Sequence, residues 1–444
     1  MPEPSLLVSD SEHAVRRADR EDARLTDERR TSRPRRWTLS NRWGYAQAAA
    51  VIALCLFASV VPSPLYSVYA QRWHFSPLTL TLIFATYAFG VLAALLLAGR
   101  LSDQVGRRPV LIAALATLML SSVLYIAADS TLWLFVARAV QGIATGAAVS
   151  TASAALLDLH PRRDPVNVGL TNGVASAIGL GLGSLVSSSL VQAGAAPRAI
   201  PYVVELVLFA AALAGAYWMP EPVRERSTFR LTPQRPRVPA GIRHAFLLAG
   251  LAALSSWSIG GLFFSLGPQL SEQLFTTTNV IVGAVGGVVL GFAGALAQLV
   301  FRHTPNWLGA AAGSVGLAVG MLLVVIAAAA NSSAAFVLGM TVAGFGFGLA
   351  FLGGLRQLNA VIPPEHRASV MSAFYVVAYA SLSLPAIIAG FVVTHLGLDS
   401  TFETFGSVVA GIALIAAIEA WRTRPSRPAP EPNRRHDCEP ALVG

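Results

Sequence analysis

The sequence predicts an all-α integral membrane protein with twelve transmembrane helices in two pseudo-symmetric six-helix bundles. Composition is the first observation: the 444-residue chain is 54% hydrophobic and only 12% charged, with a mean hydropathy of +0.60. Soluble globular proteins are about a quarter charged. The second observation is that apolar runs recur with short polar breaks, each near the ~20 residues that a bilayer-spanning helix needs. The third is an internal repeat between two halves.

The order of polar and apolar segments predicts the domains. Residues 1–44 carry charges of both signs and are expected to form a disordered tail with no secretory signal. The first bundle, 45–219, is expected to contain six helices at 45–69, 79–98, 109–127, 132–156, 167–192 and 200–219. A basic, proline-rich linker, 220–244, follows it. The second bundle, 245–421, is expected to contain helices at 245–268, 278–300, 307–329, 334–358, 367–394 and 402–421. Residues 422–444 predict a second disordered tail.

The distribution of arginine predicts the orientation in the membrane. Short loops on the side of the N-terminal tail carry eight arginines, whereas the opposite loops carry only Arg72 and Arg198. Cytoplasmic loops of membrane proteins are enriched in basic residues, so both termini and the linker are expected to be cytoplasmic. This bias also accounts for the net charge of +9, and no nucleic-acid partner is expected.

An internal repeat connects the two halves. The segment VQGIATGAA at 140–148 is similar to VAGFGFGLA at 342–350, at an offset of 202 residues. The same offset lays predicted helix two on helix eight and places Gly183 on Pro385. One constant offset across several helices indicates two related six-helix units, which is a common plan among transporters.

Three motifs resemble a known family. The loop GRLSDQVGRR at 99–108 resembles the signature loop of the major facilitator superfamily, between helices two and three. The sequence RAVQG at 138–142 is similar to the second signature, in helix four. The segment MPEP at 219–222 approximates a Pro-Glu-Thr ending of helix six, with the threonine lost. The resemblance covers roughly residues 45–421.

The resemblance implies the fold of that superfamily and secondary active transport of small molecules by alternating access. It is strongest to bacterial drug and metabolite exporters, so we expect a monomeric, proton-coupled exporter in the bacterial plasma membrane, with lipid and protons as its other partners. Proton-coupled uptake and a non-transporting receptor of the same fold are the alternatives. The sequence has no His-Glu-x-x-His motif and no Walker-type loop, so neither a membrane enzyme nor a primary pump is expected.

The resemblance assigns a gating role to the loop at 99–108. Its glycines, Gly99 and Gly106, allow a tight turn and close helix approach. Asp103 can pair with an arginine of the loop or face the positive N-terminal end of a helix, such as the one that begins near 364–367. Such a contact would hold the cytoplasmic side closed. The alternative is that the loop only fixes topology. The gating residues are Gly99, Asp103, Gly106, Arg107 and Arg108, with Asp158 as a further member.

Of all residues in the predicted spans, Arg138 has the highest free-energy cost of placement in the membrane. An arginine at the centre of a membrane helix costs at least about 2.5 kcal/mol, so it must face the interior and be paired. The resemblance favours a coupling role for Arg138 with Gln141 and Gly142, and the alternative is a structural arginine bonded to backbone carbonyls. Glu205 lies a turn inside a predicted span. It is either the proton site or a solvated carboxylate at the outer mouth.

The last predictions concern the glycines of helix five and the residues of the substrate cavity. Gly179, Gly181 and Gly183 are expected to let helix five approach its neighbours closely. The antiporter signature has Gly-Pro here, and this chain departs from it with Gly183-Ser184. Several polar and aromatic residues of the predicted helices either line the substrate cavity or contribute to packing between helices. They are Ser59, Tyr66, Gln141, Asn172, Trp257, Tyr375 and Tyr379, with Arg356, Gln357 and Asn359 at the cytoplasmic mouth.

The apolar surroundings of these residues favour a lipophilic or amphiphilic substrate. The two cysteines, Cys55 and Cys438, form neither a disulfide framework nor a metal cluster. No cofactor and no metal are expected.

Overall fold

The computed structural model describes residues 40–98, 101–194, 196–223 and 235–424. Within these ranges every predicted apolar run is helical and no residue belongs to a strand, which confirms the all-α fold class. Most of both predicted tails and residues 224–234 of the predicted linker lie outside the described residues. In the described part of the linker, Ala240–Ile242 forms a single 3₁₀ turn.

The first half contains eight α-helices in its described residues. They are α1 (Asn41–Val60), α2 (Leu65–Trp73), α3 (Pro77–Ala98), α4 (Leu101–Val105), α5 (Arg107–Ile126), α6 (Thr131–Leu159), α7 (Pro165–Ala193) and α8 (Ile200–Trp218). The second half also contains eight. They are α9 (Arg243–Ser265), α10 (Gly267–Leu274), α11 (Val280–Gly283), α12 (Val285–Val300), α13 (Asn306–Ala329), α14 (Ser333–Val361), α15 (Arg367–Leu396) and α16 (Leu398–Arg422).

Three predicted helices differ from the structure. The run 45–69 is interrupted between α1 and α2, where Pro62 and Pro64 lack the backbone N–H of a continuing helix. The run 245–268 ends at Ser265, and Pro268 lies in the first turn of α10. The run 278–300 is divided at Ala284 between α11 and α12. By length and apolarity eleven described helical segments can cross a membrane, and α12 is shorter at 16 residues.

Polar side chains fix where several helices begin. The Asp164 carboxylate accepts hydrogen bonds from the backbone N–H groups of Val166 and Asn167 at the start of α7. Ser40 and Ser332 cap α1 and α14 in the same way. Each cap satisfies donors that have no partner within the helix, so these helices start within a few residues of the predicted positions.

Glycines let the repeated helices pack closely. A Cβ on Gly142 of α6 would overlap the carbonyl oxygen of Tyr87 in α3. In the other half, a Cβ on Gly348 of α14 would overlap the carbonyl oxygen of Gly294 in α12. The pairs α3–α6 and α12–α14 therefore use glycines of the same repeated segment for the same contact.

The glycines of α7 make a comparable contact with α1. A Cβ on Gly179 would overlap the carbonyl oxygen of Ala53, and one on Gly183 would overlap that of Phe57. Close approach of these two helices therefore depends on both glycines, as the sequence predicts.

Gly142→Ala is expected to destabilise the protein by about 1–3 kcal/mol, because the new methyl group must push α3 away from α6. The midpoint of thermal unfolding in detergent measures this change. Gly411→Ala is the matched control, since a Cβ there meets no atom within 4 Å and alanine favours a helix. Equal midpoints for the two variants would contradict the close-packing argument.

Among the described residues, one apolar cluster joins the two halves near one face of the bundle. We call the face at which α1 begins and α16 ends the tail face, and the other the opposite face. Near the opposite face one cluster contains residues of both halves, including Leu65 and Tyr69 with Phe263 and Leu270. Toward the tail face the core divides into separate clusters, one for each half.

Among the described residues, two hydrogen bonds connect the halves at the opposite face. The Ser63 hydroxyl donates to the carbonyl oxygen of Phe264 at 2.6 Å, and the Val280 backbone N–H donates to the Gln192 side-chain oxygen at 2.8 Å. The α7–α12 contact extends further, to Gly173 and Gln298. The halves are thus joined by hydrogen bonds at the opposite face, and the α7–α12 packing continues from there toward the tail face.

Candidate functional site

Arg107 organises the polar cluster at the tail face. Its Nη1 lies 2.5 Å from Oδ1 of Asp103 and donates to the Ser102 hydroxyl at 2.6 Å. Its Nε donates to Oδ2 of Asp158 at 3.0 Å. The guanidinium therefore ties the turn between α3 and α5 to the end of α6, and Asp158 joins the cluster as the sequence suggests.

Glu221 holds the start of α5. Its Oε1 accepts the backbone N–H of Arg107 at 2.9 Å, and its Oε2 accepts that of Arg108 at 3.0 Å. A carboxylate in this position also complements the positive end of the helix dipole. Sequence reasoning did not include Glu221 among the site residues, although the motif at 219–222 contained the signal.

The other loop residues have distinct environments. Gly106 has φ +113°, so it needs the conformational freedom of glycine, and a Cβ there would lie 2.6 Å from Glu221. The Arg108 guanidinium lies 4.9 Å from the centre of the Tyr217 ring. Gly99 lies outside the described residues. Asp103 is 57% exposed and, among the described contacts, has no ion pair or hydrogen bond to 364–367.

Arg138 is fully buried in the first third of α6. Its Nε and Nη2 donate to the Tyr66 hydroxyl at 2.9 and 2.6 Å. Its Nη1 donates to the carbonyl oxygen of Ser59 at 2.9 Å and to Oε1 of Gln141 at 2.7 Å. Each nitrogen of the guanidinium has an uncharged partner, so the group is paired by hydrogen bonds and not by an adjacent carboxylate.

The surroundings of Arg138 alter the prediction for two cavity residues. Tyr66 is 1% exposed and Ser59 is 5% exposed, so both are partners of Arg138 instead of open cavity residues. Gln141 donates in turn to the carbonyl oxygen of Ala58 at 2.9 Å. Arg138 and Gln141 together hold the end of α1, next to its interruption. Sequence reasoning also missed Tyr87, whose ring centre lies 5.3 Å from the Arg138 guanidinium.

Glu205 is buried inside the first half and is only 1% exposed. The alternative of a solvated carboxylate at the outer mouth is therefore wrong, because α5 covers the side chain. Its Oε2 accepts a hydrogen bond from the Ser122 hydroxyl at 3.0 Å. Its Oε1 is fully buried and has no hydrogen-bond partner among the described residues. This oxygen is a position at which the side chain can hold a proton.

Tyrosines fill the space between Glu205 and Arg138. Tyr125 and Tyr202 are stacked with ring centres 4.5 Å apart and planes 2° from parallel. The Tyr125 hydroxyl donates to Oε1 of Gln141 at 3.4 Å, and Gln141 also accepts from Arg138. Neutral polar groups therefore separate the buried carboxyl from the buried guanidinium, and the described contacts include no ion pair between the two.

The predicted cavity residues of the second half form an aromatic cluster. The Trp257 ring lies edge-on to Tyr379 at 4.8 Å and packs against Phe351 at 5.4 Å. Tyr375 joins through Phe374, with ring centres 6.1 Å apart. Both tyrosines are half-buried, and their hydroxyls have no hydrogen-bond partner among the described residues. Their hydroxyls are thus available to a ligand.

The aromatic cluster lies between α9, α14 and α15 of the second half. Asn172, in contrast, donates to the Ser153 hydroxyl at 2.6 Å and connects α7 to α6. The structure therefore brings Trp257, Tyr375 and Tyr379 together in the second half, whereas Asn172 serves helix packing.

Comparison with known proteins places these features in context. The sequence profile of the Major Facilitator Superfamily matches residues 48–325 and 302–442. The multidrug resistance protein MdtL of Citrobacter koseri is 27% identical over 304 residues, covering 66% of this chain and 74% of that protein. MdtL of Klebsiella pneumoniae is 34% identical over 134 residues, covering 28% of this chain and 34% of the relative. The chain thus spans about a third of the length of the Klebsiella protein.

Two solved structures share the fold. The human organic anion transporter MFSD10 has a TM-score of 0.63 at 18% identity, covering 86% of this chain and 100% of that chain. A partially occluded inward-open structure of the xylose transporter XylE from E. coli has a TM-score of 0.68 at 16% identity, covering 87% and 98%. These likenesses show that this chain shares the fold of the two structures.

Proposed function

Because this chain belongs to the major facilitator superfamily, we propose that it is a secondary active transporter that exports small molecules in exchange for protons. The superfamily consists of membrane transporters and not enzymes, in agreement with the sequence-based expectation. The observation that carries the proton-coupled proposal is the burial of Glu205, whose Oε1 has no hydrogen-bond partner among the described residues. The relatives named as multidrug resistance proteins favour export over uptake.

The orientation proposed for this monomer places the tail face in the cytoplasm. The arginine bias of the loops supports this assignment. The described hydrogen bonds between the halves lie at the opposite face, which favours an inward-facing state. From this state a substrate would enter from the cytoplasm or the inner leaflet. Export then requires the opposite-face contacts to break and the tail-face cluster to approach the second half.

Glu205 is proposed to carry the proton. When the carboxyl is charged it attracts Arg138 through a medium of low dielectric, and when it is protonated this attraction is lost. Arg138 and Gln141 bind the carbonyl oxygens of Ser59 and Ala58. Ser63, four residues beyond Ser59, makes the hydrogen bond that joins the halves. A change at Glu205 can therefore reach the opposite-face contact through the end of α1.

The aromatic cluster is proposed as the substrate contact of the second half. Trp257, Tyr375 and Tyr379 offer ring faces and two free hydroxyls. Such a surface binds flat, lipophilic molecules by stacking and orients them by hydrogen bonds. This agrees with the amphiphilic substrate that the apolar sequence predicts.

Transport into everted membrane vesicles tests the proposal. In such vesicles the cytoplasmic face points outward, so an exporter driven by protons should accumulate ethidium inside when the interior is acidic. A susceptibility panel on cells that lack or overproduce the protein selects further probes. Accumulation of the selected probes only in right-side-out vesicles would favour the symport alternative and contradict export.

Asp103→Asn is expected to reduce flux by roughly tenfold, while the amount of protein in the membrane stays unchanged. A carboxylate facing a helix N-terminus contributes up to about 2 kcal/mol, and Asp103 is the exposed acid that can meet the start of α15 when the tail face closes. Initial rates of ethidium transport measure the effect. Asp129→Asn, an exposed acid on the opposite face, is the control. Wild-type flux in Asp103→Asn would remove the gating assignment.

A further inference from the structure

Arg356 is a half-buried arginine of α14 without a partner. Its Nε and Nη2 are completely covered by protein and form no hydrogen bond with any described residue. Its remaining nitrogen, Nη1, is also without a described partner but is open to the surface. A guanidinium removed from water without a counter-charge is costly, so this residue needs an anionic group supplied from elsewhere.

The side of α14 on which Arg356 lies indicates where the anionic group would bind. A Cβ on Gly354 would lie 3.0 Å from Ala252 of α9, so Gly354 faces the inside of the second half. Residues two apart on an α-helix point about 160° away from each other. Arg356 therefore faces away from α9, and not into the mouth of the cavity as the sequence suggested.

The outer end of the same helix gives an independent indication. Leu338 lies eighteen residues before Arg356, which is five full turns of an α-helix. Leu338 is 56% exposed and lies at the opposite-face end of α14, where apolar packing closes the centre of the bundle. An exposed leucine at this end therefore faces the membrane. Arg356 thus continues the membrane-facing side of α14.

The depth of Arg356 matches the lipid headgroup region. Gln357, the next residue, donates to the Thr423 hydroxyl at 3.4 Å. Two residues before Thr423, Trp421 packs edge-on against Trp307 with ring centres 5.5 Å apart. Tryptophans of membrane proteins concentrate at the boundary between hydrocarbon and headgroups. Arg356 is therefore located where phosphate groups of the tail-face leaflet would lie.

We propose that Arg356 binds the phosphate of an anionic phospholipid in the leaflet at the tail face. The open Nη1 supplies the hydrogen bond to a phosphate oxygen, and the covered nitrogens supply a charge that water does not screen. Basic positions between membrane helices on the cytoplasmic side are suited to such headgroups. The site lies on the outer surface of the second half, apart from Glu205 and the aromatic cluster, so the inference does not depend on the proposed transport cycle.

Native mass spectrometry of the full-length protein tests this inference. Wild-type protein, Arg356→Gln, Arg356→Lys and the control Arg302→Gln are released from nanodiscs of phosphatidylcholine with 20% phosphatidylglycerol, a composition chosen for the assay. Arg302 is an exposed arginine near the same face whose Nε already donates to His303. It therefore reports any general loss of positive charge.

We expect Arg356→Gln to retain one phosphatidylglycerol less, with about fivefold weaker binding, which is the scale for one basic residue near an anionic leaflet. Arg356→Lys should fall between it and wild type, and Arg302→Gln should equal wild type. Equal retention by Arg356→Gln and wild type would overturn the proposal. So would displacement of the lipid by millimolar inorganic phosphate, because the site would then take a free anion. If Arg356→Gln does not fold, Arg356→Lys takes its place in the test. Retention of phosphatidylglycerol by Arg356→Lys at the wild-type level would then overturn the proposal.

Discussion

Glu205→Gln is expected to abolish transport driven by a pH gradient while leaving a folded protein. Glutamine has nearly the shape of the protonated acid and can still accept the Ser122 hydrogen bond, but it cannot release a proton. The interior of the first half would then stay in one charge state throughout the cycle. In proteoliposomes, ethidium or another identified substrate should no longer accumulate against its gradient when a pH difference is imposed. Exchange of labelled for unlabelled substrate without a gradient should persist.

The pair of assays separates loss of coupling from loss of structure. Glu403→Gln, in α16 of the other half, is the matched control and should retain both activities. The thermal midpoint of Glu205→Gln should stay close to that of wild type, since no residue loses its hydrogen bond. If Glu205→Gln responds to the pH gradient like wild type, Glu205 is not the proton site and another group carries the proton.

The sequence predicted the helices well because membrane insertion leaves a direct compositional signal. Long apolar runs must be helical to satisfy their backbone groups, so the number and order of the helices follow from hydropathy. Interruptions within a run were not predicted. The break between α1 and α2 contains two prolines, but prolines are tolerated in membrane helices where neighbours satisfy the freed groups. Composition alone does not distinguish Pro62, at a break, from Pro385, within the continuous helix α15.

The site was predicted in part, for a reason specific to each residue. Arg138 had to be buried and paired because of its cost in the membrane, and the structure places it so. Its partners, Tyr66 and the carbonyl oxygen of Ser59, come from another helix, and their register cannot be read from the sequence. Glu205 appeared close enough to a helix end for solvent to reach it. Only the packing of α5 against α8 buries it.

The contacts of Asp103 depend on the conformational state of the protein. The sequence motif concerns a contact between halves that would form when the tail face closes. In the structure the halves are fastened at the opposite face, and Asp103 instead pairs with Arg107 in its own half. The ion pair keeps the carboxylate at the surface of the first half. We propose that Asp103 is thus placed for the contact between the halves that forms when the tail face closes.

Arg138→Lys is expected to lower transport by about a hundredfold, the scale on which small misplacement of a catalytic or coupling group acts. Lysine retains the positive charge but lacks the planar fork that reaches Tyr66 on one edge and Ser59 and Gln141 on the other. At least one buried acceptor would lose its donor, at about 1–3 kcal/mol for each. The end of α1 would then be held less firmly to α6.

Arg138→Gln distinguishes the role of the charge from that of the fork. Arg138→Gln removes the positive charge that would attract the Glu205 carboxylate, so transport by this variant should no longer depend on the pH gradient. Arg138→Lys should keep that dependence at a lower rate. Initial rates in proteoliposomes at several internal pH values measure both effects, and thermal midpoints report the packing loss that the two variants share. A structural arginine would give equal loss of stability in both variants and an unchanged pH profile in whatever flux remains. Distinct profiles are therefore required if the buried guanidinium and the buried carboxyl act together in coupling.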